Sequence, residues 1–105
     1  MIVAFSVAPV GEQNHVGDAV AECVAAIRAS GLPNETNAMF TNVEGEWDEI
    51  QALLKECIDI CERYAPRVSL VMKLDHHPGA GHEHSLAYKT RRVEQALQDR
   101  GPQSA

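Results

Sequence analysis

Apolar and polar positions follow a period of two at both ends of the first 75 residues and a period near 3.6 between them, which predicts the order βαββαβ. From Met1 to Ala8 the larger Val3, Phe5 and Val7 alternate with Ala4, Ser6 and Ala8, a strand with two unlike faces that Pro9 and Gly11 should end. Val16, Val20, Cys23 and Ile27 form a helical stripe, with Gly17 as the expected N-cap, Ser30 as the end and Gly31 in the left-handed position beyond it. Thr36 to Asn42 reads as a second strand, and Val43 and Glu44 as a very short third one broken by Gly45. A second stripe runs through Trp47, Ile50, Leu54, Cys57, Cys61 and Tyr64, opened by acids at the helix's positive end and halted by Ala65-Pro66. In Arg67 to Asp75, Val68, Leu70, Met72 and Leu74 make one face, and Ser69, Val71, Lys73 and Asp75 the other. A third helix, from about Ser85 to Gln98, carries only a narrow stripe of Leu86, Val93, Ala96 and Leu97.

These elements predict an α+β fold, with two helices on one side of a four-stranded antiparallel sheet and a third helix appended. Residues 1–100 are expected to form one domain and 101–105 a disordered tail. The uncovered sheet face would mix Ala4, Ser6, Met39, Thr41, Val71 and Lys73. A domain this small buries only about 65% of its unfolded surface, so the same face of another copy is the expected cover. Ligand pockets form readily in such seams, where a few polar groups converge between apolar walls.

Charge narrows the choice of partner. Nine Lys plus Arg against 15 Asp plus Glu give a net charge of −6, which repels phosphate backbones and speaks against nucleic acid. The apolar runs fall short of the roughly 20 residues of a membrane span, and no Lys or Arg precedes the first of them as in a secretory signal. A cytoplasmic protein is expected. Cys23, Cys57 and Cys61 fall within the helical stripes and are read as reduced core residues, although Cys57 and Cys61, four apart, share one helix face as a redox or metal pair would. Four of the five histidines, His76, His77, His82 and His84, lie within nine residues beside Asp75 and Glu83. Such density suits Zn²⁺, Ni²⁺ or Cu²⁺, but the spacing matches no structural zinc signature, and a solvated glycine-rich loop is the favoured reading.

Four segments carry a resemblance: S-V-x-P-x-G from Ser6 to Gly11, S-G-L from Ser30 to Leu32, M-x-T-x-x-E-G from Met39 to Gly45, and K-x-D from Lys73 to Asp75. In order and spacing, over nearly all of residues 1–97, they resemble the small thiamine-binding proteins of the YkoF-like superfamily. The resemblance implies a ferredoxin-like fold, assembly through the sheets into dimers or tetramers, and binding of thiamine or its hydroxymethylpyrimidine moiety with no catalytic residues and no cofactor. Carried over by position, it implies a ligand neighbourhood of Ser6, Asn37, Met39, Thr41, Glu44, Trp47 and Lys73. These residue types suit an aminopyrimidine: Ser, Thr and Asn for the ring edge, Met for its face, and a carboxylate for the exocyclic amine or thiazolium charge. Two other classes stand beside this one: a ferredoxin-like dimeric enzyme acting on a small aromatic molecule, and metal binding through the histidine loop.

Overall fold

A computed structural model describes residues 1–11 and 16–101. The chain forms β1 (Ile2–Val10), α1 (Val16–Ala29), β2 (Asn34–Thr36), β3 (Thr41–Glu44), α2 (Trp47–Glu62), β4 (Arg67–Asp75) and α3 (Leu86–Arg100). The four strands make one antiparallel sheet in the order β2-β3-β1-β4, the ferredoxin-like arrangement expected.

Register explains which residues are buried. Val3 and Phe5 lie opposite Val43 and Thr41 on one side and Leu74 and Met72 on the other, so all six share a face. Helices α1 and α2 cover that face through Ala19, Cys23 and Ile27 and through Ile50, Leu53, Leu54, Cys57, Ile60 and Cys61. The opposite face carries Ala4, Asn42 and Lys73 in one row and Ser6 and Val71 in the next.

Several expectations need correction. β1 runs through Pro9 to Val10 instead of stopping at Ala8. Its pairing with β3 ends at Phe5, so beyond that point one edge is open, where the missing N–H of a proline is tolerated. Helix α1 starts at Val16, with Gly17 inside it, and its buried stripe is Ala19, Cys23 and Ile27, while Val20 is 40% exposed. Its end is as expected: Ser30 Oγ donates to Ile27 O at 2.6 Å and Gly31 takes φ +78°. The strand expected over 36–42 is two strands separated by a turn over 37–40, so Met39 is not on the sheet and Thr41 points toward the helices. Trp47, expected to begin the core stripe of α2, is 43% exposed at the helix start.

α2 begins where Glu49 Oε1 accepts from Glu46 N at 3.0 Å. α3 begins where Ser85 Oγ accepts from Tyr88 N at 3.1 Å. No residue of α3 is fully buried, and Val93 and Leu97 of its stripe are exposed. No helix among the described residues is long and apolar enough to cross a membrane. The expected tail beyond Gly101 and residues 12–15, between the first strand and the first helix, lie outside the described residues.

Candidate binding cleft

The site follows from the early end of the β1–β3 pairing. Because β3 is short, the edge of β1 from Ser6 to Ala8 has no strand beside it on that flank, and the chain over 36–41 crosses the gap instead. Helix α1 forms the floor through Val20, Cys23, Val24 and Ile27. The result is a cleft of about 190 Å³, lined by Phe5 to Ala8, that stretch of α1 and residues 36–41.

The turn over 37–40 is built by its own polar groups. Asn37 Oδ1 accepts from Met39 N at 2.9 Å and from Phe40 N at 3.0 Å, and Asn37 N donates to Phe40 O at 3.0 Å. This leaves the Asn37 Nδ2 group without a hydrogen bond among the described residues. Met39, 74% exposed, stands at the rim with Phe40. Inside, Thr41 is the one buried polar residue of the described core, and its Oγ1 lies 3.0 Å from Thr36 Oγ1. Either hydroxyl can donate, so the pair can offer an incoming group a donor or an acceptor.

No charged side chain lines the cleft. Its single titratable lining residue, Cys23, donates weakly to Cys57 O at 3.6 Å and lies 3.8 Å from Cys61 Sγ. The bond to Cys57 first, and burial second, push the Cys23 thiol up, while burial pushes Cys61 up to about 12. The Cys57 thiol is shifted down by its side-chain interaction with the Cys23 thiol. The three cysteines are free and buried.

The structure brings Ser6, Asn37, Met39 and Thr41 together around this cleft. Ser6 takes part through the open strand edge; its side chain is exposed on the uncovered sheet face. Glu44, Trp47 and Lys73 lie elsewhere. Glu44 Oε1 accepts from Leu86 N at 2.7 Å at the start of α3, Trp47 begins α2, and Lys73 sits opposite Ala4 on the uncovered face. Sequence reasoning missed Phe40, Thr36 and the wall from α1. The phase of Val20 and Val24, one residue off the buried stripe, was the available signal.

The histidine segment is divided among separate contacts. His84 Nε2 lies 2.9 Å from Asp75 O, His77 stands edge-on to the His84 ring, and His82 edge-on to Tyr88. Among the described residues no three His, Cys, Asp or Glu side chains are arranged to hold a metal ion.

Comparison with known proteins agrees with this architecture. Residues 3–94 match the family model described as thiamine-binding protein. A UPF0045 protein of Mycobacterium bovis is 46% identical over 80 residues, 75% of this chain and 78% of the relative. A hypothetical protein of Methanocaldococcus superposes with a TM-score of 0.78 at 26% identity, over 90% of this chain and 95% of that one. A Thermotoga maritima protein, assigned provisionally to thiamine biosynthesis or salvage, superposes with a TM-score of 0.74 at 25% identity, over 88% and 96% of the two chains.

Proposed function

We propose that this chain, which belongs to the thiamine-binding protein family, holds the pyrimidine ring of thiamine or free hydroxymethylpyrimidine in the α1–β1 cleft, without transforming it. The observation that carries this reading is an uncharged cleft that joins apolar walls to the Thr36–Thr41 hydroxyl pair, the Asn37 amide and an open strand edge. An aminopyrimidine is a flat neutral ring with donors and acceptors on its rim, and it needs that combination. The Thermotoga relative's assignment to thiamine metabolism supports the same ligand class.

Size argues for one ring. A cavity of about 150 Å³ accepts benzene, so about 190 Å³ suits a single substituted six-membered ring and not a whole two-ring vitamin. The thiazolium would extend past Met39 into solvent, where the net charge of −6 favours a cation. Binding in place of catalysis is supported by the lining, whose one titratable group is a thiol held protonated.

The uncovered sheet face, with Ala4 and Val71 beside Asn42, Ser6 and Lys73, completes the proposal: copies of the chain associate through it. Isothermal titration of untagged protein with hydroxymethylpyrimidine and with thiamine tests the ligand. Saturable binding of both, with the free pyrimidine at least as tight per atom, is expected. No heat from either at millimolar concentration overturns the assignment.

A further inference from the structure

The floor of the cleft contains a thiol that touches a second one. Cys23 of α1 lines the cleft, whereas Cys61 of α2 belongs to the core behind it, and their Sγ atoms are 3.8 Å apart. Cys57 of α2 completes the cluster, its backbone O accepting from Cys23 Sγ at 3.6 Å. All three are free and buried, and the binding proposed above uses none of their chemistry. A core asks only for small apolar side chains at such positions, which Ala or Val supplies. Sulfur at both ends of one interhelical contact adds a covalent bond that those residues cannot make.

We infer that Cys23 and Cys61 form a reversible disulfide that ties α1 to α2 behind the cleft, with a hydroperoxide as the oxidant. An S–S bond of about 2.05 Å requires the sulfurs to approach by about 1.7 Å, within the sweep of the two Sγ atoms about their Cα–Cβ bonds. Cys57 and Cys61 cannot bridge each other: four apart on α2, their Cβ atoms stand about 5 to 6 Å apart, beyond the roughly 3.5 to 4.5 Å that a disulfide spans. Toward Cys57 the Cys23 S–H is directed at the backbone carbonyl, so Cys61 is the partner it meets sulfur to sulfur. Hydrogen peroxide, the smallest hydroperoxide, fits a cleft of about 190 Å³. Cys23 Sγ attacks one peroxide oxygen, the O–O bond breaks, and the departing hydroxide leaves as water with the thiol proton. Cys61 Sγ then attacks the sulfenic sulfur: the S–S bond forms, the S–O bond breaks, and the hydroxyl leaves as a second water with the Cys61 proton. Two thiols lose two electrons and the peroxide gains them. Both thiols are pushed above their ordinary range, so thiolate is scarce and the reaction is slow. Closure draws Cys23 Sγ from the floor toward the core, so the two redox states present different cleft floors. The pairing rests on sulfur geometry and not on which ligand the cleft takes, so it stands or falls apart from the binding proposed above.

Prolonged treatment of native, untagged protein with hydrogen peroxide, followed by alkylation in denaturant and mass spectrometry, tests it. The wild type should lose two of its three alkylatable thiols together with two hydrogen masses, and dithiothreitol should restore all three. Cys57→Ala should behave as the wild type does, whereas Cys61→Ala should form no bridge. An alanine at a buried site also weakens packing, so the wild type carries its own control. Proteolysis at Asp59 separates Cys57 from Cys61, and the peptide joined to that of Cys23 should contain Cys61. Three thiols remaining after treatment, sulfinic acid in place of the bridge, or a bridge from Cys23 to Cys57 overturns the pairing.

Discussion

Thr36 Oγ1 and Thr41 Oγ1 lie 3.0 Å apart across the β2–β3 turn, and this contact puts a hydroxyl pair into an otherwise apolar cleft. Thr36 is exposed and Thr41 buried, so the pair links solvent to the interior of the site. The same bond ties the first and last residues of the connection whose middle forms the rim.

Thr41→Val keeps the shape of that wall and removes its hydroxyl. Thr36 remains hydrated, so the fold should change by less than about 1 kcal/mol, whereas ligand binding should weaken about five- to tenfold, the worth of one neutral hydrogen bond. Titration calorimetry against a thermal melt separates the two effects. Unchanged affinity would remove Thr41 from the site.

The sequence made β4 legible in full, from Arg67 to Asp75, because proline precedes it and alternation runs unbroken through nine residues. α2 was equally plain, since its acidic start and Ala65-Pro66 stop bracket a wide stripe. The region 36–42 was misread for a physical reason: Thr, Met and Phe favour strands, but the Asn37 carboxamide draws in two backbone N–H groups and inserts a turn. That turn resets the alternation, and a one-residue change of phase sends Thr41 to the opposite face. Four of the residues carried over by resemblance still surround one cleft, because the turn that moved them off the sheet bends over the same strand edge.

Glu44 is the test of a residue set apart from the cleft. Its carboxylate takes the Leu86 N–H at the positive end of α3, 2.7 Å away, and α3 has few other contacts with the sheet. Glu44→Ala should loosen the attachment of α3 by about 1 kcal/mol, read as faster amide exchange over residues 86–90. Pyrimidine binding should be unaffected. A loss of binding equal to that of Thr41→Val would bring Glu44 back into the site.

The cysteine cluster predicts slow chemistry at neutral pH. Cys61 is pushed up to about 12 by burial, and Cys23 is also raised, so neither supplies much thiolate in the folded state. A folded pKa above the unfolded value means that their contribution to stability is complete below about pH 9 and declines as pH rises through the folded values. Labelling by an aromatic disulfide reagent at pH 8 should therefore follow global unfolding at Cys23 and Cys61. Ligand that fills the cleft beside Cys23 should slow it further. Rapid labelling of Cys23 in native protein, unaffected by denaturant in the pretransition range, would contradict this packing.

On the outer surface of the helix layer, Glu22 of α1 accepts from Arg63 Nη2 at 2.6 Å and from the Tyr64 hydroxyl, joining α1 to the end of α2. The bond from Tyr64 first, and Arg63 second, hold the Glu22 carboxyl below its ordinary 4.5, and the bond to Glu22 holds the Tyr64 phenol above 10. For Glu22 the lowered value gives stability that is present above the unfolded pKa and lost as pH falls through the folded one. For Tyr64 the raised value gives stability present below 10.0 and lost as pH rises through the folded value. The clamp is thus intact between about pH 5 and 10, and its exposed position makes it weak and sensitive to salt. Glu22→Gln should remove part of the acid-side fall in melting temperature while leaving the alkaline limb governed by the cysteines. An acid limb identical to that of the wild type in low salt would show that Glu22 carries no part of the pH dependence.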